Sequence, residues 1–250
     1  MADSNTIAQQ TAIITGASRG IGAAMALKLA EHKFNIVVNF ATDEDAARRV
    51  VSGIEAAGGR AIAVRGDVSR REDFERIFDD ATSAFGGVDV LVNNAGLMSN
   101  MTIGSVDELA FDRMFAINVR GVLNGLKLAS QRMRDRGRIV NISTSVIGMS
   151  PAGYGPYCAS KAAVEALTRS LSRELGSRGI RVNAVAPGPT ETELLTLAND
   201  ADRLKMFAAM TPLGRLAQVS DIADVVAFMV SDNARWINGQ TVRVNGGIVS

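Results

Sequence analysis

Short apolar runs alternate with longer amphipathic stretches along the whole chain. The runs predict β-strands at residues 12–14, 35–39, 61–65, 88–92, 138–142, 182–186 and 240–244. The stretches between them predict helices that end at residue 29 or cover 43–57, 71–85, 107–133, 156–176 and 220–230. Strands that alternate with helices pair in parallel, because each helix returns the chain to the same end of the sheet. The pattern therefore predicts an α/β fold built on a parallel sheet.

Length and composition favour one large domain. The chain has 250 residues, of which 47% are hydrophobic, and this is enough for a sizeable core. We predict a loose N-terminal tail at residues 1–10, a single domain over residues 11–250 and, within it, a substrate lid at about 188–212. The lid is predicted from apolar residues that show no strand pattern, namely Leu194, Leu195, Leu197, Met206, Phe207 and Met210. The same residues could equally pack a small helix.

The charge and the rare residue types exclude several classes of partner. Lys and Arg number 27 against 26 Asp and Glu, so nothing favours binding to nucleic acid or to an anionic membrane. One cysteine, Cys158, and one histidine, His32, leave no internal disulfide and no usual zinc cluster. The first ten residues contain no long apolar run, so neither a signal peptide nor a membrane span is predicted. We therefore predict a cytoplasmic protein whose partner is a small molecule.

A glycine-rich loop links the first strand to the first helix, and it reads Thr-Gly-Ala-Ser-Arg-Gly-Ile-Gly over residues 15–22. Glycines let the backbone approach a pyrophosphate closely, and the free N–H groups at a helix start favour anions. The cofactor-binding residues predicted here are Gly16, Ser18, Arg19, Gly20, Ile21 and Gly22. A plain strand-to-helix turn is the alternative, and the spacing differs from the Gly-x-Gly-x-x-Gly fingerprint.

The end of the second strand indicates which dinucleotide is bound. A doubly wound fold would place an acidic residue there, against the adenosine 2′-hydroxyl, but this chain has Asn39. No carboxylate would repel a 2′-phosphate at that position, and Arg19 could bind one. The two residues favour NADP(H) over NAD(H), with a solvated loop charge as the alternative for Arg19.

Small and polar residues follow the third and fourth strands. Asp67 and Val68 come after the third, and Asn94, Ala95 and Gly96 come after the fourth. Ligands of open α/β sheets bind at the carboxyl ends of the strands, so Asp67 could meet the adenine and the second turn could admit a ribose. Taken singly, each of these segments could be an ordinary turn.

Tyr157 and Lys161 lie one turn apart on a predicted helix, so their side chains share a face. A lysine charge beside a phenol stabilises the phenolate and is expected to lower the tyrosine pKa. The pair could therefore transfer a proton. Alone, a Tyr-x-x-x-Lys spacing is more often a solvated pair on a helix.

Residues 15–22, residues 93–96 and the pair Tyr157 and Lys161 together resemble the motifs of the short-chain dehydrogenase/reductase family in order and spacing. The resemblance extends over about residues 11–247. It implies a single Rossmann-type, doubly wound sheet of strand order 3-2-1-4-5-6-7 with helices on both faces. It also implies nicotinamide-dependent carbonyl or alcohol chemistry and, usually, a homotetramer.

The resemblance also assigns roles to further residues. Asn118 matches the asparagine that helps to hold a water in the proton relay. The hydroxyl that binds the substrate oxygen is either Thr144, by the spacing of thirteen before Tyr157, or Ser145, by the local Ser-Val-x-Gly pattern. Ser143 ranks behind both. The family places the nicotinamide beside the turn after the sixth strand, which here supplies Pro187, Gly188 and Thr190.

These features predict an NADP(H)-dependent oxidoreductase that transfers a hydride between nicotinamide and a ketone or alcohol. A 3-oxoacyl thioester is one candidate substrate, and an acidic acyl carrier could then meet basic residues. The arginines that could provide this contact are Arg132, Arg134, Arg136 and Arg178, although all could be solvated helix ends. The rival hypothesis is a non-catalytic dinucleotide-binding sensor or structural subunit, against which the intact Tyr157, Lys161 and Asn118 argue.

Overall fold

The computed structural model describes residues 9–198 and 200–249. Residues 1–8 of the predicted tail lie outside the described residues. The sheet comprises β1 (Thr11–Ile14), β2 (Asn35–Phe40), β3 (Arg60–Arg65), β4 (Val90–Asn93), β5 (Arg138–Ile142), β6 (Arg181–Pro187) and β7 (Thr241–Val244). The strands are all parallel, in the order β3-β2-β1-β4-β5-β6-β7, which confirms the predicted α/β sheet.

Helices cover both faces of the sheet. They are α1 (Gly20–Glu31), α2 (Glu44–Ala56), α3 (Arg71–Phe85), α4 (Glu108–Phe115), α5 (Val122–Arg132), α6 (Val146–Met149), α7 (Gly155–Glu174), α8 (Glu193–Ala198), α9 (Ala201–Met210) and α10 (Val219–Val230). Several begin with a side-chain cap; the Asp43 carboxylate, for example, accepts a hydrogen bond from the amide of Ala46 at the start of α2.

Alternate strand residues supply two separate hydrophobic cores. In β1, Ile14 faces the core formed with α1, α2 and α10, whereas Ile13 faces the core formed with α3, α5 and α7. This follows from the two-residue repeat of a strand, which sends neighbouring side chains to opposite faces. Because both faces are covered, β1 is buried at every residue and its sequence is a continuous apolar run.

The prediction of one continuous helix over residues 107–133 is wrong in one respect. The structure divides it into α4 and α5, which are joined by a π-helical segment at Ala116–Gly121. Gly121 lies tightly against Val68, because a Cβ at position 121 would be 2.7 Å from Val68 Cγ2. Asn118 lies within this π-helical segment, and its side chain is fully buried. Such π segments are rare and occur frequently at functional sites.

The predicted lid contains two short helices, α8 and α9. The carboxylate of Asp200 caps α9 by accepting a hydrogen bond from the amide of Arg203. Met206 and Met210 on α9 are each about half exposed. The side chains of Leu194 and Leu197 lie outside the described part of the chain.

Several large apolar side chains are exposed. Trp236, after α10, is 96% exposed, and Leu109 on α4 is 82% exposed. Leu123 on α5 and Phe228 on α10 are each close to half exposed. No helix in the described residues is long and apolar enough to cross a membrane.

Candidate active site

Helix α7 positions Tyr157 and Lys161 over the carboxyl end of β5. Tyr157 is partly buried, and burial raises its pKa to about 12, although a hydrogen bond from the Thr144 side chain acts in the opposite direction. Thr144 follows β5 directly. The structure therefore brings the hydroxyl groups of a helix residue and a strand-end residue close together.

The geometry separates the three hydroxyl groups that follow β5. The Ser145 hydroxyl is buried and donates to the carbonyl of Ala186 on β6 at 2.8 Å, so its proton is already used. The Ser143 hydroxyl donates to Glu165 Oε1 at 2.8 Å. Of the three, Thr144 is the one whose side chain faces Tyr157.

Lys161 is buried, and its Nζ donates to the carbonyl of Ile142 at 2.8 Å. Burial alone lowers the pKa of Lys161 to about 8, because desolvation disfavours the ammonium form. The sequence predicted that the lysine charge would lower the pKa of Tyr157. Burial of the ring raises the pKa of Tyr157 instead, and the ammonium group of Lys161 donates to the carbonyl of Ile142.

Asn118 clamps the segment that follows β4. Its Oδ1 accepts from the amide of Leu97 at 2.7 Å, and its Nδ2 donates to the carbonyl of Leu97 at 2.8 Å. Nδ2 also donates to Ser160 Oγ on α7 at 3.0 Å. Both Nδ2 protons and one lone pair of Oδ1 are therefore engaged, and the side chain links the π-helical segment to Leu97 and to α7. The role of Asn118 in holding a water stays a prediction.

The glycine loop and the turn after β4 are interlocked. Asn94 Nδ2 donates to the carbonyls of Thr15 at 2.9 Å and Gly16 at 3.1 Å. In return, the Thr15 hydroxyl accepts from the amides of Asn94 at 2.9 Å and Ala95 at 3.0 Å. Gly16 has a φ of 62°, and a Cβ there would lie 3.0 Å from Ala95 Cα. Sequence reasoning did not identify the role of Thr15, for which a buried threonine at the strand end was the available signal.

Gly96, in this turn, lies close to Lys161 and Asn118. A Cβ on Gly96 would lie 3.3 Å from Lys161 Nζ and 3.5 Å from Asn118 Oδ1. A side chain at this position would press on the ammonium group of Lys161. The predicted cofactor turn and the predicted proton-transfer residues therefore share one site.

The N-terminal end of α1 has features that suit the binding of an anion. Its N-cap residue, Arg19, makes no capping hydrogen bond with its side chain, and the first turn has no acidic residue. Gly22 packs too closely for any side chain, because a Cβ there would lie 2.3 Å from the carbonyl oxygen of Gly16. Ser18 and Ile21 are partly buried, and Gly20 has a φ of 56°. The loop therefore fits the pyrophosphate of a dinucleotide, which the positive helix end would favour.

Arg19 is exposed, and its NH1 lies 3.8 Å from Glu193 Oε2 at the start of α8. This contact joins the glycine loop to the lid. An ion pair between exposed side chains contributes little to stability, so the guanidinium group is available to a stronger anionic ligand.

The interpretation of Asn39 needs correction. The strand continues to Phe40, and Asn39 is buried one residue before its end. Asn39 Nδ2 donates to the carbonyls of Val64 at 3.2 Å and Gly66 at 3.0 Å, and its Oδ1 accepts from Gly16 N at 3.3 Å. The side chain therefore supports the glycine loop from below and does not face a ribose.

Asp67 and Val68 lie at the end of β3, as expected. Burial would raise the pKa of Asp67, but hydrogen bonds from Ser69 and the nearby Arg113 outweigh it and hold the pKa below its usual value. Arg113 NH2 lies 3.3 Å from Asp67 Oδ2. Val68 is buried against the π-helical segment. Asp67 therefore stays ionised and ties α4 to this edge of the sheet.

The turn after β6 carries the remaining predicted residues. The carbonyl of Pro187 accepts from the amide of Ser145 at 2.9 Å, which joins the turn to the β5 end. Gly188 packs on Asn245, and the hydroxyl of buried Thr190 donates to the carbonyl of Gly188 at 2.9 Å. Among the described residues, no group of three or more His, Cys, Asp or Glu side chains could hold a metal ion.

Fold and site together are those of a Rossmann-type oxidoreductase. Residues 16–249 match the family model described as enoyl-(acyl carrier protein) reductase. The chain belongs to the short-chain dehydrogenase/reductase family, and the resemblance seen in the motifs is thereby confirmed. Among its relatives is the 3-oxoacyl-[acyl-carrier-protein] reductase FabG of Staphylococcus epidermidis, to which it is 41% identical over 241 residues, covering 96% of this chain and 98% of the relative.

Solved structures show the same relationship. A short-chain dehydrogenase/reductase from Serratia marcescens superposes with a TM-score of 0.93 at 33% identity, covering 96% of this chain and 98% of that one. A short-chain dehydrogenase from Burkholderia cenocepacia, solved in complex with NADP, superposes with a TM-score of 0.91 at 36% identity and covers 96% and 97%.

Proposed function

We propose that this protein is an NADP(H)-dependent carbonyl reductase whose reaction is reversible. The observation that carries the proposal is the meeting of Tyr157, Thr144 and Lys161 beside the turn at Gly96. The NADP complex of the Burkholderia relative supports the choice of cofactor. The exposed Arg19 in the glycine loop also supports it, because a guanidinium group binds phosphate well.

Each residue of the site has a role that its surroundings explain. Bound NADPH supplies the hydride that reduces the carbonyl carbon. Tyr157 donates a proton to the carbonyl oxygen; a phenol is protonated at neutral pH at its ordinary pKa, and burial raises that pKa further. Thr144 donates a hydrogen bond to the same oxygen and stabilises the charge that develops on it. Lys161, with a pKa of about 8, resupplies the proton. Asn118 fixes the segment that lies against Lys161.

A 3-oxoacyl thioester is the substrate class that we propose, because the FabG relatives are named for that reaction. Recognition would rest on the acyl chain and its thioester arm more than on the carrier protein. The reason is that most of the arginines predicted to meet a carrier lie closer to their carboxylates than Arg19 does to Glu193, and are less exposed than Arg19. They are Arg132 with Asp79 at 2.6 Å, Arg134 with Asp89 at 3.0 Å and Arg178 with Asp135 at 2.7 Å. The guanidinium group of Arg178 also donates to two backbone carbonyls.

Reduction of an enoyl thioester is the second candidate, because the matching family model carries that description. The hydroxyls of Tyr157 and Thr144 would serve both reactions, since an oxygen gains negative charge in each. The relatives named as 3-oxoacyl reductases favour the carbonyl reaction. The non-catalytic alternative has no support in this site. The homotetramer and the cytoplasmic location stay predictions.

The test is an assay of NADPH oxidation with matched substrates. A short 3-oxoacyl thioester, the corresponding enoyl thioester and a simple ketone would each be supplied to the protein. We expect the 3-oxoacyl thioester to give the highest kcat/KM and the enoyl thioester to give almost no activity. A higher rate with the enoyl thioester would replace the proposed reaction. No NADPH oxidation with any of the three would overturn it.

A further inference from the structure

Helix α7 is joined to the end of β5 by a row of side-chain contacts, one for each of four consecutive residues. Thr168 Oγ1 accepts from Asn141 Nδ2 at 2.9 Å, and Lys161 Nζ donates to the carbonyl of Ile142. The next two contacts are Glu165 Oε1 with the Ser143 hydroxyl and Tyr157 with Thr144. We call the two contacts that involve neither Tyr157 nor Lys161, Ser143–Glu165 and Asn141–Thr168, the α7–β5 ladder.

The spacing of the helix residues explains why they form a row. Positions 157, 161, 165 and 168 recur every three or four residues, so their side chains lie on one face of α7. The sequence contained this signal, but only its first two positions were identified. Glu165 and Thr168 continue the face away from the reacting groups and touch none of them.

The ladder is buried except at Glu165, which is partly exposed, and its side chains form hydrogen bonds with one another. Asn141 and Thr168 are fully buried, and Ser143 is nearly so. Asn141 also accepts from Asn93 Nδ2 at 2.8 Å, which extends the ladder to β4 beside the cofactor turn. A buried donor that loses its acceptor is costly, so the helix has one favoured position along the strand.

We propose that Glu165 and Thr168 are positioning residues that set the place of α7 along β5 and thereby hold Tyr157 opposite Thr144. The proposal rests on the proposed carbonyl reductase function for its kinetic test. Because a misplacement of about 1 Å can cost roughly 100-fold in rate, small shifts of the helix should be visible in kcat.

The experiment compares two glutamates of α7 that each accept a hydrogen bond from a serine, one across to the end of β5 and one within the helix. Glu165→Ala removes the acceptor of Ser143, and Glu174→Ala is the matched control, because Glu174 accepts from Ser170 at 2.9 Å on the exposed face of α7. We expect Glu165→Ala to lower kcat about 10-fold, with the Kd for NADPH unchanged. Glu165→Gln keeps an acceptor oxygen and should restore most of kcat. Glu174→Ala should match the parent protein.

A double-mutant cycle keeps the test decisive if Glu165→Ala folds poorly. Ser143→Ala removes the donor with a smaller change in volume, and it should lower kcat to a similar extent. Combining it with Glu165→Ala should add little, because the two residues act through one contact. A parental kcat in both single variants would overturn the positioning role proposed for Glu165. An equal loss of kcat in Glu174→Ala would overturn it as well.

A readout independent of activity separates this proposal from the proposed function. The chain has two tyrosines, so in a Tyr154→Phe background the absorbance of the phenolate titrates Tyr157 alone. We expect Glu165→Ala to lower the pKa of Tyr157 towards its ordinary value, because a displaced ring is better hydrated. An unmoved pKa would contradict the ladder even if the protein reduced none of the test substrates. If the pKa falls but the parent protein is inactive, the positioning role of Glu165 is supported and the proposed function is wrong.

Discussion

Tyr157 is the proton donor of the proposed reaction, and burial raises its pKa. Its pKa of about 12 means that the phenol keeps its proton across the physiological range. Tyr157→Phe preserves the packing of the ring and removes only the transferable proton. We expect turnover to fall by about 10²- to 10⁴-fold while the Kd for NADPH stays close to that of the parent. Fluorescence titration with NADPH and steady-state kinetics measure the two quantities, and turnover above about a tenth of the parent would place the proton donor elsewhere.

We expect Lys161 to give the proposed reaction its pH dependence. Burial holds its pKa near 8, so the ammonium form that resupplies the proton is lost as the pH rises through that value. Tyr157 stays protonated over the same interval. We therefore expect kcat/KM for carbonyl reduction to decrease above about pH 8, since this ratio reports ionisation in the free enzyme. The step should be missing from the residual activity of Lys161→Ala. A parent profile that is flat to pH 10 would contradict this role of Lys161.

Asn39 shows how the structure changes a prediction. From the sequence, Asn39→Asp should reverse the cofactor preference. In the structure, the carboxylate would face the carbonyls of Val64 and Gly66 without the two donors that now bind them. We expect the substitution to lower the free energy of unfolding by about 3 kcal/mol or more, as measured by chemical denaturation. Asn233→Asp, at an exposed position, should leave it unchanged. A fully stable Asn39→Asp protein that prefers NADH would restore the first interpretation.

The sequence predicted most of the residues that the fold brings together here, but not the direction of their side chains. Thr144 and Ser145 could not be ranked from spacing, because the partner of each hydroxyl lies on another element. Ala186 on β6 accepts from Ser145, and only the fold brings that carbonyl there. Asn39 was misread for the same reason, since its partners belong to β3 and to the glycine loop.

At the scale of elements, the strands and most helices were predictable because the two-residue and 3.6-residue repeats are strong in this chain. The π-helical segment was not, because one extra residue in a turn leaves the apolar pattern of residues 107–133 almost unchanged. Tertiary contacts account for the π-helical segment: Gly121 packs on Val68, and Asn118 binds the backbone of Leu97.

The π-helical segment can be tested through Asn118. Asn118→Ala leaves the buried side of Leu97 without its two hydrogen bonds. We expect a loss of about 1–3 kcal/mol in the free energy of unfolding, together with a fall in kcat, because the segment beside Lys161 loosens. Asn124→Ala is the matched control, since Asn124 on α5 makes one hydrogen bond to the carbonyl of Val68. A kcat loss no larger than that of the control would remove Asn118 from the site.

At the scale of the whole molecule, the sheet order followed from the family resemblance and the alternation of strands with helices. The surfaces that would join subunits were not legible from the sequence, because exposure is a property of the folded chain. The structure leaves Leu109 and Leu123 exposed on α4 and α5, and Phe228 and Trp236 exposed on and after α10. Large exposed apolar residues in groups are typical of interaction surfaces.

These surfaces lead us to expect self-association. Sedimentation should give a mass that is a multiple of the 26.4 kDa chain, and the predicted tetramer is the expected state. Leu109→Glu and Trp236→Glu should each reduce the mass, because a buried and unpaired carboxylate is costly in an interface. A monomer at micromolar concentration would contradict the expectation.

Trp236 also makes the protein its own optical probe. It is the only tryptophan of the chain and is almost fully exposed in the isolated subunit, so its indole emission should be that of a hydrated ring. Unfolding would change that emission little, whereas contact with another subunit would move it to shorter wavelength. Intrinsic fluorescence of this protein should therefore report dilution and assembly, and a melting curve should be followed by circular dichroism.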